Sequence, residues 1–117
     1  MVTSTDYLDF IKDQLATWKP IITKKMFGTI GLYADGLMFG IIAKDTIYFK
    51  VDATNKNYYL DAGSAPLRLF KNDTIVPSFY DVPVEIIEDY IQFVVWAESA
   101  LAIQKRGNKQ KKTIKCY

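Results

Sequence analysis

The alternation of apolar and polar positions predicts three antiparallel strands in close succession between residues 26 and 52. The first two are expected to join at Asp35-Gly36, a pair that tolerates positive φ at both central positions of a type I′ turn. A second turn is expected at Lys44-Asp45. The segment between the two turns is apolar on both faces apart from Gly40, which is typical of a central strand covered on both sides.

Helical spacing predicts one helix on either side of these strands. The first spans residues 5–18 and is ended by Pro20. The second spans residues 83–105, begins at Pro83 and is apolar nearly all round from residue 90 to 97. Two neighbours normally bury such a helix, so we expect the sheet and the first helix to cover it. The apolar stripe of the first helix consists of Leu8, Ile11, Leu15 and Trp18.

The same apolar helix permits a second interpretation. Part of its surface is a candidate contact for a partner chain or for a homodimer, because large aromatic side chains dominate protein interfaces. The candidate interaction residues are Tyr90, Phe93 and Trp96.

The remaining segments predict short elements. Residues 52–61 are expected to form one or two helical turns that end at Gly63. A short strand from residue 67 is expected to turn at Asn72-Asp73 into a strand over residues 75–80. Pro77 cannot donate a ladder hydrogen bond, so this last strand should lie at an edge or contain a bulge. Gly28, Gly31 and Gly40 are each expected to mark a bulge or a close approach of another backbone, with a ligand as the alternative.

The amino-acid composition excludes several kinds of catalytic and metal-binding site. The 117 residues are enough for one domain with its own core. Histidine is absent, which excludes Ser-His and Cys-His nucleophile pairs and imidazole metal sites. The single cysteine, Cys116, excludes an intramolecular disulfide and a cysteine zinc site. No apolar run approaches the roughly 20 residues of a membrane span, so we expect a cytoplasmic protein without a membrane contact. Without histidines and with a single cysteine, we also expect no metal site, and we expect no cofactor.

Charge is unevenly distributed along the chain. Residues 1–103 hold nine basic and 13 acidic residues, whereas the last residues hold six basic residues and no acid. We therefore predict one domain over residues 1–104 and a basic C-terminal tail over residues 105–117. Such a tail is a candidate for contact with nucleic-acid phosphates or with an acidic protein face, including its own, and a solvated end is the alternative. The basic residues are Lys105, Arg106, Lys109, Lys111, Lys112 and Lys115.

The residues resemble those of the N-terminal domain of the TfoX/Sxy competence regulators. The resemblance rests on the motifs Lys25-Met26-Phe27-Gly28, Gly31-Leu32-Tyr33-Ala34-Asp35-Gly36, Tyr48-Phe49-Lys50-Val51-Asp52 and Ala62-Gly63-Ser64, and continues through Val82-Pro83 to Trp96-Ala97. It implies an α+β fold in which a curved antiparallel sheet of about five strands packs with an N-terminal and a long C-terminal helix. It also implies a regulatory accessory role without catalytic residues.

Three functional hypotheses follow. The first is a non-enzymatic TfoX-like factor that binds a protein partner, such as a transcription component, through the long helix and the exposed sheet face. The second is direct nucleic-acid contact through the basic tail. The third is an enzyme that uses a carboxylate, or lysine or tyrosine chemistry, in a concave pocket, for which Lys24, Lys25 and Tyr33 are the first candidates.

Overall fold

The computed structural model describes residues 5–26, 28–68 and 74–115, with side chains described as far as Gly107. These residues form one antiparallel six-stranded sheet in the order β1-β2-β3-β4-β6-β5, together with four helices. The predicted α+β fold is confirmed, with six strands in place of about five. The elements are α1 (Thr5–Gln14), β1 (Ile22–Met26), β2 (Thr29–Ala34), β3 (Leu37–Ala43), β4 (Thr46–Lys50), α2 (Lys56–Asp61), β5 (Pro66–Arg68), β6 (Ile75–Asp81), α3 (Val84–Glu88) and α4 (Tyr90–Lys115).

Both predicted hairpins are confirmed. Asp35 and Gly36 have φ of 52° and 78°, and Lys44 and Asp45 have φ of 50° and 55°. These values fit type I′ turns, whose twist matches that of the flanking strands. Strands β2, β3 and β4 consequently lie side by side in chain order, joined by two-residue turns.

Strand β1 is the additional strand. Its sequence, Ile-Thr-Lys-Lys-Met, has no clear apolar alternation, and none of its five residues is fully buried. It pairs with β2 along one side and forms an edge of the sheet, where lysines are common because they discourage pairing with other chains. The first predicted strand therefore begins at Thr29, and Met26 belongs to the strand before it.

Strand β6 lies inside the sheet, between β4 and β5. Pro66 pairs with Tyr80 and Leu67 pairs with Val76, so residues 77–79 of β6 form a bulge relative to β5. The bulge places Pro77 where the β5 ladder is interrupted, and a proline without an N–H is tolerated there. The prediction for this strand was an edge position or a bulge. The edge position is wrong, and the bulge is confirmed. The predicted turn at Asn72-Asp73 lies outside the described residues.

The predicted long helix is two helices that meet at Asp89. Asp89 has φ of −102° and ψ of 94°, which are not helical. Its carboxylate accepts hydrogen bonds from the backbone N–H groups of Ile91 (3.2 Å) and Gln92 (3.3 Å), and the Gln92 side chain donates to it at 3.0 Å. Asp89 therefore caps α4, and the Asp-x-x-Gln spacing was the sequence signal for this break.

The main core lies between one face of the sheet and helices α1, α3 and α4. Phe49 on β4 stacks on Phe93 of α4, with ring centroids 5.2 Å apart and 15° between the planes. Ile11 and Leu15 of the first helical segment are fully buried, as their predicted stripe requires, although α1 itself ends at Gln14. The sheet and α1 thus bury part of α4 as predicted. A smaller cluster of Ala43, Leu67 and Phe79 lies on the other sheet face.

Gly40 confirms the prediction of a close backbone approach. A Cβ atom at this position would lie 3.1 Å from the carbonyl oxygen of Tyr48 and 3.1 Å from the ring of Phe49. The register of β2 and β3 also shifts beside it, between Leu32 and Tyr33. Gly40 therefore allows β3 and β4 to pack closely under the Phe49 ring.

Candidate interaction surface

A groove of about 250 Å³ lies between α2 and the middle of α4. This volume is slightly below the usual range of small-molecule sites, about 300–1,000 Å³, and it is large enough to accept a single side chain of a partner protein. Aromatic and apolar side chains form most of its wall. The lining residues are Asn55, Tyr58, Tyr59, Val95, Trp96 and Ser99.

Asn55 connects the two walls of the groove through its side-chain hydrogen bonds. It is buried, and its Oδ1 accepts a hydrogen bond from the backbone N–H of Asp52 at 2.9 Å. Its Nδ2 donates to the Lys50 carbonyl oxygen at 3.3 Å and to Ser99 Oγ at 3.2 Å. One side chain thus joins the end of β4, the start of α2 and α4, which fixes the spacing between the two groove walls.

Tyr59 forms the inner wall. Its ring makes an edge contact with Trp96, with centroids 4.6 Å apart, and also lies near Tyr80. The Tyr59 hydroxyl is buried and has no hydrogen-bond partner among the described residues. Burial also raises the pKa of this hydroxyl, because the phenolate would lose its hydration. The ring packs well, whereas its polar atom is destabilising.

Replacing Tyr59 with phenylalanine is expected to raise the free energy of unfolding by about 1 kcal/mol, because a buried hydroxyl without a partner is removed while the ring contacts stay. Urea unfolding at neutral pH measures the change. Tyr58→Phe is the matched control, since the neighbouring tyrosine is exposed and its hydroxyl has water available. A loss of stability in Tyr59→Phe would show that the hydroxyl has a partner in solution.

The outer rim of the groove continues into an exposed apolar surface. Tyr58 on α2 is 67% exposed. On α4, Ile91 is 63% and Val95 61% exposed, and we call these two residues the α4 strip. Ile91 and Val95 are one helical turn apart and therefore share a face. Single exposed apolar residues are ordinary, but a contiguous group marks an interaction surface.

The structure separates the three aromatic residues predicted for protein interaction. Tyr90 is 49% exposed on another side of α4, about 100° around the helix from Ile91, and Trp96 is half-buried in the groove wall. Phe93 is 0% exposed because it is stacked on Phe49 in the core. Phe93 therefore cannot contact a partner, and we correct the predicted set by removing it. Sequence reasoning missed Tyr58, Ile91 and Val95 as exposed surface residues, although the all-round apolar helix signalled that one side would remain uncovered.

The first two basic residues of the predicted tail contact the domain itself. Lys105 Nζ lies 3.0 Å from Asp35 Oδ2, which Lys19 Nζ also reaches at 3.0 Å. Hydrogen bonds from Lys19 and Lys105 lower the pKa of the Asp35 carboxyl. Arg106 lies 3.1 Å from Asp52 Oδ2. Contact with an acidic face of the same chain was one of the predicted alternatives, and these two residues make it.

Helix α4 continues through the predicted boundary between domain and tail as far as Lys115. Gln104 donates a hydrogen bond of 2.6 Å to the carbonyl oxygen of Met38 just at this boundary. The side chains of the four later basic residues lie outside the described part of the structure. Their predicted contact with nucleic acid stays a prediction, and these residues are Lys109, Lys111, Lys112 and Lys115.

Only two of the three candidate enzyme residues, Lys24 and Tyr33, come together. Lys24 and Lys25 are consecutive residues of β1, so their side chains leave the sheet on opposite faces. Lys24 Nζ lies 4.9 Å from the centroid of the Tyr33 ring, a cation–π contact at the sheet surface. Among the described residues there is also no group of three or more carboxylate, cysteine or histidine side chains placed to hold a metal ion.

Comparison with known families decides the relationship. The sequence profile of the TfoX N-terminal domain matches residues 13–103, which include both walls of the groove and the α4 strip. The chain belongs to the TfoX N-terminal domain family. This TfoX-family chain is accordingly competence-regulator-like, as the resemblance of its motifs implied.

A search of curated proteins gave no match to this TfoX-family chain. Within the described residues, no helix has the combined length and apolar character needed to cross a bilayer.

Proposed function

We propose that this protein is a non-enzymatic regulatory accessory factor that acts by binding a protein partner in the groove between α2 and α4. The observation that carries the proposal is the exposed aromatic and aliphatic rim of that groove, formed by Tyr58, Val95 and Ile91. Membership of the TfoX N-terminal domain family supports the regulatory role. A component of the transcription apparatus is the proposed partner class, and the cytoplasm is the proposed location.

The groove has the physical features of a protein-docking site. Its half-buried Trp96 and exposed Tyr58 are of the residue types that contribute most to interface energies. Its walls are held in place by the Asn55 hydrogen bonds, so little conformational entropy is lost when a partner side chain enters. Its volume of about 250 Å³ is large enough to accept one anchor side chain of a partner.

The proposal is tested by replacing Val95 with glutamate in the organism that encodes the chain. We expect the regulatory effect of the wild-type gene, measured as the transcripts that change when the gene is deleted, to be lost with Val95→Glu, because a charge at the rim prevents apolar docking. Ile22→Glu is the matched control, since Ile22 is also 61% exposed but lies on β1 at the edge of the sheet.

Full regulation by Val95→Glu would contradict the proposal. If the same protein then bound duplex DNA with an affinity that fell steeply with salt, direct nucleic-acid contact through the basic residues would be the better explanation. Loss of regulation in both variants would identify a general effect of added charge and would also fail to support the groove.

A further inference from the structure

The sheet face opposite the main core carries the smaller hydrophobic cluster, and we call it the open face. Every described residue of that cluster, and every described residue packed against it, belongs to a strand. Within the described part of the chain, no helix contributes to this cluster. Its half-buried side chains include Met38, Ile41 and Tyr48. Because a contiguous apolar surface marks an interaction site, the open face is a second candidate surface besides the groove.

Tyr33 extends the open face onto β2. A Cβ atom at Gly31 would lie 3.1 Å from the Tyr33 ring and 3.1 Å from Met38 Sδ, so both side chains border that glycine on the same face. Across the sheet, Gly31 pairs with Ile41, and Ile41 pairs with Tyr48. Strand geometry therefore places the α-carbons of Tyr33 and Tyr48 about 12 Å apart. Two half-buried phenol rings thus share one face of the sheet.

A lysine lies beside an aromatic ring at two places on the open face. Lys24 Nζ is 4.9 Å from the centroid of the Tyr33 ring. Lys50 follows Tyr48 by two residues on β4 and therefore shares its face. Its Nζ is 5.5 Å from the centroid of the Phe79 ring. Each of the two tyrosines thus has a flexible cation next to it.

The charged residues are divided between the two sides of the sheet. Helices α1 and α3, together with residues 90–104 of α4, carry six acids and one basic residue. The six strands carry four basic residues and one acid, Asp81. Lys24, Lys50 and Asp81 lie on the open face, and Asp81 accepts a hydrogen bond of 2.6 Å from the Ala65 N–H. The helix side is thus acidic and the open face mildly basic, which favours an anionic ligand on the open face.

We propose that the open face binds single-stranded nucleic acid, with bases stacked on Tyr33 and Tyr48. Lys24 and Lys50 hold the phosphates. A nucleotide offers a planar base and an anionic phosphate, which match a ring with a cation beside it. Antiparallel sheets that present aromatic rings can hold unpaired bases in this way. A protein ligand would match the rings but not the lysines, because lysine is depleted in protein interfaces. This function goes beyond the groove and does not depend on it.

The first experiment titrates labelled single-stranded DNA and RNA with the full chain at low and high salt, followed by fluorescence anisotropy. Oligonucleotides of about 12 nucleotides suit the site size of a small single-strand-binding domain. We expect at least one of the two strands to bind at low salt, with an affinity that falls as salt rises. A duplex of the same sequence should bind more weakly, because its bases are not free to stack. Absence of binding to both single strands, or equal affinity for the duplex, would overturn the inference.

Tyr33→Ala and Tyr48→Ala test the stacking. Each should weaken binding by about tenfold, the order of one base-stacking contact. Tyr48→Phe keeps the ring and should bind like the wild type. Tyr58→Ala is the matched control, since Tyr58 is an exposed tyrosine on α2, on the other side of the sheet. Unchanged affinity in both alanine variants, or an equal loss in Tyr58→Ala, would overturn the stacking and assign the binding to charge alone.

Lys24→Gln and Lys50→Gln test the phosphate contacts without removing a ring. Each should lower the slope of log affinity against log salt by about 0.7, the value for one phosphate contact with a single strand. Lys56→Gln is the matched control, because Lys56 Nζ also lies over a ring, 5.7 Å from the centroid of Tyr80, but on the helix side. A slope that is unchanged in both open-face variants would place the phosphates elsewhere and overturn the inference.

The groove variant Val95→Glu separates this inference from the proposed function. It should bind the oligonucleotides like the wild type, because Val95 lies on the helix side. Loss of oligonucleotide binding in Val95→Glu would overturn the assignment to the open face. A wild type that binds no oligonucleotide, but whose regulation is still lost in Val95→Glu, would reject the inference and leave the proposed function standing.

Discussion

Replacing Phe93 with alanine is expected to lower the free energy of unfolding by about 4 kcal/mol, because a fully buried ring is lost and a cavity remains. Phe93 is stacked on Phe49, and the ring centroids of Phe49 and Phe39 are 5.7 Å apart. The cavity would therefore open between α4 and the centre of the sheet. Urea unfolding followed by circular dichroism measures the change as a shift of the unfolding midpoint, while the dependence of the free energy of unfolding on urea concentration stays the same.

Tyr90→Ala provides the comparison for Phe93→Ala. Tyr90 is three residues earlier on the same helix and is 49% exposed, so its removal should cost less than about 1 kcal/mol. Because small domains are stable by about 5–15 kcal/mol in total, only the Phe93 variant should approach unfolding at moderate temperature. Equal losses in the two variants would contradict the position of α4 on the sheet.

Replacing Asn55 with alanine is expected to lower the free energy of unfolding by about 3 kcal/mol, because the partners of its hydrogen bonds are left partly buried and unsatisfied. The variant loses the bonds to Asp52 N–H, to the Lys50 carbonyl oxygen and to Ser99 Oγ. The connection between α2 and α4 is lost together with them. Hydrogen exchange should accordingly show faster exchange in α2 than in the central strands.

Ser99→Ala distinguishes the role of Asn55 from that of a single hydrogen bond. It removes one partner and leaves the two backbone contacts of Asn55, so the expected cost is about 1 kcal/mol. If Asn55→Ala were no more destabilising than Ser99→Ala, the backbone contacts would contribute little, and α2 would be held chiefly by the packing of Tyr59.

The features that were predictable from sequence are those with local causes. Asp35, Gly36 and Asp45 are of the few residue types that readily adopt the positive φ of their turns. The three strands that these turns connect could therefore be placed from the sequence. Strand β1 was missed because an edge strand needs no apolar face, and Lys24 and Lys25 hide its pattern. The break at Asp89 was missed because the acidic residues and the apolar run continue through it.

The candidate site was harder to predict because it depends on which side of α4 faces the sheet. A helix that is apolar all round gives no sequence signal for that choice. Phe93 and Tyr90 are both aromatic and close in sequence, yet one is in the core and the other is exposed. The contacts of Asn55 join residues up to 44 positions apart, so its role could be recognised only in the folded chain.

Asp35 has a further consequence for how this sequence can diverge. Its φ of 52° is accessible to asparagine, which would lose the charge that binds Lys19 and Lys105. Glutamate would keep the charge but is poorly suited to the left-handed backbone. Position 35 thus combines two demands that aspartate satisfies together and that other amino acids satisfy singly. A substitution at position 35 would therefore have to be compensated by a second change, either in the turn of the hairpin or in the contact between the hairpin and Lys105 of α4.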